Sequence, residues 1–168
     1  MAAVAALYAH HVRSGIATFE EIPPDVAEMN TRLQAVRDLG TPWLVAEREG
    51  QLLGYAYASL YRTRSAYRYV LEDSIYVAPD AAGQGIGGAL LDRLLVECSA
   101  LGYRQMIAVI GDSGNAASIA IHRSRGFADA GLLKSVGFKF GRWIDSVFMQ
   151  RALGEGDDTL PQASPRRP

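Results

Sequence analysis

Apolar residues change their spacing repeatedly along this chain, and each change marks an element. Residues 1–13 are alanine-rich with Leu7, His11 and Val12 at helical spacing, which predicts a helix ending near Gly15. Pro23-Pro24 punctuates the chain. Asp25 is placed to cap a second helix over residues 26–39, with Met29, Leu33, Val36 and Leu39 on one face and Gly40 closing it. Two short strands follow, 43–47 and 52–60, joined into a hairpin by the turn signal Glu49-Gly50. A polar, basic loop at 62–68 leads to a third strand, 69–77, which Pro79-Asp80 ends. Residues 83–88 are rich in glycine and open a helix running to about Ala100, before Gly102. Next come an apolar strand at 106–110, a loop at 111–114 and a helix to about Arg125, capped by Asn115 or Ser113. Gly126-Phe127 stops that helix, and strands at roughly 130–138 and 143–150 complete the set.

The early strands need antiparallel partners, whereas the middle strand–helix–strand unit needs a parallel crossover. The expectation is a single α+β domain over residues 1–153 with a mixed sheet. Residues 154–168 hold three prolines and no large apolar side chain except Leu160, and are expected to form a disordered tail.

Composition narrows the function classes. The chain has 168 residues, 49% hydrophobic and 21% charged, enough to bury a core. A net charge of −1 gives no sign of the basic face of a nucleic-acid binder. No uncharged apolar run approaches the ~20 residues that span a bilayer, and residues 1–7 lack the basic start of a signal peptide, so no membrane association is expected. The single cysteine, Cys98, cannot pair within the chain, which points to a reducing, cytoplasmic setting. His10, His11 and His122 form no ligand pattern with carboxylates, so no metal is expected.

Gly83-Gln84-Gly85-Ile86-Gly87-Gly88 lies between a strand and a helix. Glycines admit positive φ and bring backbone N–H groups close to a ligand, and the free N–H groups of a helix start favour an anion such as a pyrophosphate. A tight turn without a ligand is the plainer reading. The same letters satisfy G-x-G-x-x-G, so a nicotinamide-dependent oxidoreductase, with Asp112 as acidic partner, is a rival. Against it, residues 78–82 separate the glycines from their strand and an antiparallel hairpin precedes them. Too little chain follows for a doubly wound sheet with a substrate site.

Segment 74–91, SIYVAPDAAGQGIGGALL, resembles the acetyl-CoA-binding motif of the GNAT N-acetyltransferase superfamily. Segment 109–122, VIGDSGNAASIAIH, with Arg125-Gly126-Phe127, is similar to that superfamily's next strand and helix. Three further stretches resemble one subgroup, the phosphinothricin and methionine sulfoximine or sulfone acetyltransferases. They are Thr18-Phe19-Glu20 with Pro23-Pro24, residues 54–57 through Arg62 with Ala66-Tyr67-Arg68, and 136–143, VGFKFGRW. The likeness runs from about residue 7 to 153. It implies transfer of acetyl from acetyl-CoA to the amino group of a small amino-acid-like molecule. The fold it implies is a GNAT-type domain: a mixed, mostly antiparallel sheet, a splayed parallel strand pair and helices on both faces. The family's first strand is expected to be missing ahead of the first helix. A homodimer is implied too, with residues 135–143 near its interface. The non-enzyme alternative is a module that only binds acetyl-CoA.

By this resemblance, the pyrophosphate of acetyl-CoA sits on backbone N–H groups of Gly83, Gln84, Gly85, Ile86, Gly87 and Gly88. Its pantetheine pairs like an added strand with Ile75, Tyr76 and Val77, and Asn115 reaches it from the following helix. Ala82 stands where the family carries Gln or Arg, so backbone donors carry more of the binding. An amine is mostly protonated at neutral pH, so a carboxylate must take its proton before it attacks. Glu72 matches the family's proposed base; the plainer reading is an outward-facing strand carboxylate. Side chains alternate along a strand, so Glu72 and Ser74 are expected on one face and Asp73, in a structural role, on the other. A backbone N–H near Tyr76 or Val77 is placed to stabilise charge on the thioester oxygen. His122 stands where many members carry Tyr, and either protonates the leaving thiolate or packs beside the cofactor. Arg62, Thr63 and Arg64 precede Glu72, and a guanidinium can bind a carboxylate or phosphinate through two hydrogen bonds, although loop arginines are ordinarily just solvated. Substrate contacts are expected from these three, from Glu72, Asp73 and Ser74, and from Phe140. At Phe140 the phosphinothricin enzymes carry His and the methionine sulfoximine type Phe, which leans toward the latter. Cys98 falls late in a helix with no His at useful spacing, so direct transfer is expected rather than an acyl-enzyme.

Overall fold

The computed structural model describes residues 1–162, 164 and 165. Its elements are α1 (Ala2–Ser14), α2 (Val26–Leu39), β1 (Trp43–Arg48), β2 (Gln51–Leu60), β3 (Val70–Val77), α3 (Ile86–Ala100), β4 (Gln105–Gly111), α4 (Ala116–Ser124), β5 (Ala128–Lys139) and β6 (Arg142–Ala152). Local chemistry explains several ends. The Asp25 carboxylate accepts the Glu28 N–H at 2.8 Å and starts α2, and Gly40, at φ 76°, closes it. Glu49 and Gly50 both take positive φ, the geometry of a tight hairpin between β1 and β2. Asn115, rather than Ser113, caps α4 by accepting the Ser118 N–H at 3.2 Å.

Six strands form one sheet in the order β1-β2-β3-β4-β6-β5. Only β3 and β4 run parallel; every other neighbouring pair is antiparallel. On one face α3 buries Leu90, Leu91, Leu94, Leu95 and Cys98 against Ala58, Leu71, Met106 and Met149. On the other, α1 and α2 bury Val4, Leu7, Tyr8, Val12 and Met29 against Leu53 and Tyr55. Each large side chain so buried contributes about 1.5–3 kcal/mol, so both helical layers are held chiefly by apolar burial. Helices on both faces of a mixed sheet match the expected fold. No helix among the described residues is long and apolar enough to cross a membrane.

Pairing along β3 is unequal on its two edges. It pairs with β2 over its whole length, from Leu71 opposite Leu60 to Val77 opposite Gly54. With β4 it pairs only from Val70–Gln105 to Asp73–Ala108. Beyond that point β4 stays with β6 as far as Gly111 opposite Ser146. The two parallel strands therefore part after Asp73 and Ala108, and the sheet opens between them.

The β5–β6 hairpin runs beyond both expected strands at their ends, and its pairing is interrupted by an irregularity after Asp129 and a bulge after Leu133. Leu133 lies opposite Ser146, and the next pair is Gly137 with Ile144. Asp145 steadies the bulge by accepting the Ser135 N–H at 2.9 Å. After β6, the segment expected to be a tail turns back on β4. Arg104 donates to the Gly156 carbonyl at 3.3 Å and to Thr159 Oγ1 at 3.1 Å. Positions 163 and 166–168 of that segment lie outside the described residues.

Candidate active site

Where β3 and β4 part, a cavity of about 280 Å³ opens through the sheet. Its walls are Glu72, Asp73, Ser74, Ile75 and Tyr76 on β3, residues 108–111 on β4, Asn115, Ser118 and His122 at α4, Ser146 on β6, and Ala17, Thr18 and Phe19 from the connection between α1 and α2. Strand alternation predicts that only one set of β3 side chains faces the pocket. That expectation is corrected: the cavity lies between the strands rather than over one face, so Glu72, Asp73 and Ser74 all line it.

The Glu72 side chain makes no hydrogen bond or ion pair with the described residues. Burial pushes its carboxyl above the usual range and the charge of Asp73 adds to this, while Arg62 opposes it. Asp73 points to the α4 side. Its Oδ2 lies 3.0 Å from His122 Nε2, both side chains are buried, and its Oδ1 has no partner. His122 Nδ1 lies 2.7 Å from the Ser118 carbonyl, which only accepts, so Nδ1 carries a proton. Burial lowers the His122 pKa, but the hydrogen bond and charge of Asp73, with Ser118, outweigh it and the net shift is upward.

The glycine segment lies at the start of α3. Gly83 and Gly85 take φ of 75° and 81°, where a side chain would be strained. Gly85 is the N-terminal cap of α3, and no side chain caps the helix. The N–H groups of the first turn, at Ile86, Gly87 and Gly88, therefore have no acceptor within the helix and are free for an anion. A Cβ at Gly87 would lie 3.3 Å from Ile121 and 3.4 Å from Val77, so this turn sits close against β3 and α4. The Gln84 side chain is engaged elsewhere, donating to the Asp80 carbonyl at 2.9 Å and accepting from Arg48 at 3.3 Å. Val77, next to the cavity, accepts at its carbonyl from His11 Nε2 at 2.9 Å. Asn115 spends its side chain on the cap and on the Gly111 carbonyl, 3.4 Å away, while lining the cavity.

Four expected substrate residues lie outside this cavity. Arg62 stacks 4.2 Å above the Tyr61 ring and lines a second concavity of about 610 Å³ with Val70, Ile107, Leu133 and Phe148. Thr63 and Arg64 are exposed on the loop, and Phe140 is exposed at the β5–β6 turn. Conversely, Ala17, Thr18, Phe19, Ser118 and Ser146 line the cavity without having been singled out as site residues. One signal bears on the first three. A Cβ at Gly111 would collide with the Ile16 carbonyl, so this strand glycine marks where the α1–α2 connection closes on β4. Among the described residues no group of three or more His, Cys, Asp or Glu side chains is arranged to hold a metal.

A sheet with one parallel pair and one crossover is not the doubly wound sheet a dinucleotide site needs, and the oxidoreductase alternative has no support. The model of the acetyltransferase (GNAT) family matches residues 4–127. The chain is 62% identical over 160 residues to the phosphinothricin N-acetyltransferase of Alcaligenes faecalis, covering 95% of this chain and 81% of that one. It is 40% identical over 154 residues to an L-methionine sulfoximine/L-methionine sulfone acetyltransferase of Salmonella typhimurium, covering 92% and 90%. The crystal structure of a GNAT superfamily phosphinothricin acetyltransferase from Sinorhizobium meliloti in complex with acetyl-CoA is similar with a TM-score of 0.93 and 51% identity, covering 96% of this chain and 88% of that one.

Proposed function

Since the chain belongs to the acetyltransferase (GNAT) family, whose enzymes use acetyl-CoA, we propose that its acceptor is the amino group of a small amino-acid-like molecule, of the phosphinothricin or methionine sulfoximine and sulfone kind. The observation that carries this reading is Glu72: an unpaired, half-buried carboxylate in the wall of the cavity between β3 and β4, with the uncapped start of α3 packed beside Val77 at the end of β3.

The residues present fit the co-substrate. Free first-turn N–H groups of α3 suit its pyrophosphate. Past Asp73, the β3 edge has lost its β4 partner, which leaves the outward-facing backbone groups of Ile75 and the Val77 N–H, beside Tyr76, for an extended ligand, while the Val77 carbonyl stays with His11. When bound, acetyl-CoA supplies an acetyl group activated as a thioester. Glu72 then takes the ammonium proton, directly or through water, and its raised pKa brings it nearer the operating pH of a general base. A backbone N–H near Tyr76 or Val77 stabilises charge developing on the acetyl oxygen. Of the two roles open to His122, the geometry favours the passive one. Both its nitrogens are engaged, so it holds Asp73 and α4 beside the slot. Arg62 reaches Glu72 with its charge, and we assign it, with Thr63, Arg64 and Phe140, to the acid group and side chain of the acceptor.

Replacement of Glu72 tests this assignment. Glu72→Gln should lower turnover about 10²–10⁴-fold and leave acetyl-CoA affinity near normal; unchanged turnover removes Glu72 as the base. A homodimer belongs to the same proposal. Leu132, Leu133, Val136, Phe138, Phe140 and Trp143 are all exposed on the β5–β6 hairpin, beside the concavity that Arg62 lines, and suit a second copy. Sedimentation should give a dimer that Phe138→Ser with Trp143→Ser dissociates; a monomeric wild type contradicts it. A buried, unpaired Cys98 suits a reducing cytoplasm.

A further inference from the structure

Two stretches distant in sequence, 15–20 and 136–143, meet beside the cavity, and the first of them lines it. The connection from Gly15 to Asp25 contains no helix or strand, yet its Ala17, Thr18 and Phe19 form a cavity wall. Lys139, near the end of β5, is 2% exposed in a strand whose other side chains are mostly exposed. Its Nζ donates to the Gly15 carbonyl at 2.9 Å and to the Thr18 carbonyl at 2.8 Å, so it grips both ends of the Gly15–Ile16–Ala17–Thr18 turn. No carboxylate among the described residues pairs with it, and the Phe140 ring lies 5.0 Å from the ammonium.

The grip is matched from two other directions. Phe19 lies flat on Gly137, where a Cβ would sit 2.6 Å from the ring. On the far side, the Tyr8 hydroxyl lies 2.9 Å from Thr18 Oγ1 and donates to Glu20 at 2.8 Å. Thr18 is thus held at its carbonyl by β5 and at its side chain by α1. Burying an ammonium with no carboxylate in direct contact is costly, and an apolar side chain would fill an edge-strand position with less penalty. A lysine there makes sense if its two directed hydrogen bonds fix something that packing alone would leave loose. Burial lowers its pKa, against the nearby charges of Glu21 and Glu20, so the two hydrogen bonds are made at an electrostatic cost.

We propose that Lys139 is a positioning residue. It clamps the α1–α2 connection as a fixed wall of the cavity that holds Glu72, and so sets how tightly the amine is held. This rests on the acetyltransferase reading for its substrate but not for the clamp itself. The test is Lys139→Met, with Lys139→Arg and Gly137→Ala beside it, measured by steady-state kinetics and hydrogen exchange. In Lys139→Met the KM for the amine should rise roughly tenfold, while kcat at saturating amine and the KM for acetyl-CoA stay within about threefold. Exchange at residues 15–20 should speed up roughly tenfold, with the α3 amides unchanged. Lys139→Arg, which keeps a donor, should recover part of the KM. Gly137→Ala displaces the Phe19 ring without touching the lysine and should raise the same KM, which keeps the test open should Lys139→Met not fold. An unchanged amine KM in both Lys139→Met and Gly137→Ala, or equal changes in kcat and both KM values, overturns the proposal. If no amine is acetylated by the wild type, the substrate reading fails. Faster exchange confined to residues 15–20 in Lys139→Met would still support the clamp, and unaltered exchange there would refute it.

Discussion

The buried Asp73–His122 pair makes a prediction in which two changes that look alike should behave differently. His122 Nδ1 donates to the Ser118 carbonyl, so the 3.0 Å contact between Nε2 and Asp73 Oδ2 requires one further proton between them. In Asp73→Asn, the amide N–H can donate to an unprotonated Nε2. The hydrogen bond survives and the ion pair does not. That change should cost within about 1 kcal/mol. For a domain of this length, each kcal/mol moves Tm by about 2–4 °C, so Tm should fall by no more than about 4 °C. His122→Leu instead strands a buried carboxylate whose Oδ1 already lacks a partner. Removing one member of a buried pair costs about 3–5 kcal/mol, or roughly 6–20 °C. The pH dependence separates the two further. The His122 pKa is raised above its ordinary 6.5 in the fold, so its contribution to stability is full below that value and is lost as pH rises through the raised one. Thermal melts from about pH 5 to pH 9 should show wild type losing its advantage over Asp73→Asn across that rise. A pH-independent difference between them, or an Asp73→Asn as damaged as His122→Leu, would refute the reasoning.

Two further outcomes follow from the same geometry. The Glu72 pKa is raised, and the base works deprotonated, so kcat/KM should fall as pH drops through a value above the ordinary 4.5; Glu72→Gln should lack that limb, and an unaltered limb in the variant would assign it to another group. Gly85→Val puts a branched side chain at φ 81° beside the anion-ready turn. It should weaken acetyl-CoA binding by roughly tenfold or more in a calorimetric titration, and wild-type affinity would show that this turn does not carry the phosphates.

Element identity was legible where one residue fixes a local geometry: Asp25 and Gly40 on α2, Glu49-Gly50 in the hairpin, Asn115 on α4. The point at which β3 and β4 part was not legible from pattern alone, because the β3 letters VLEDSIYV read the same whether a partner strand stays or leaves. Resemblance supplied the slot. Alternation did place Asp73 opposite Glu72, but it carried no notice that an opening between strands exposes both. The bulge at 134–136 is equally silent, since it depends on Asp145 across the hairpin and on Ser135 at positive φ. Nothing in the local pattern marks Lys139 as buried; its burial exists only because a connection more than a hundred residues earlier folds onto it.

The most direct test of the account is thiol release from acetyl-CoA with the purified protein, across methionine sulfoximine, methionine sulfone, phosphinothricin, ordinary amino acids, an aminoglycoside and a peptide N-terminus. The account predicts release with at least one of the first three and none of comparable efficiency with the aminoglycoside or the peptide. Silence with all three, while acetyl-CoA still binds, would contradict it.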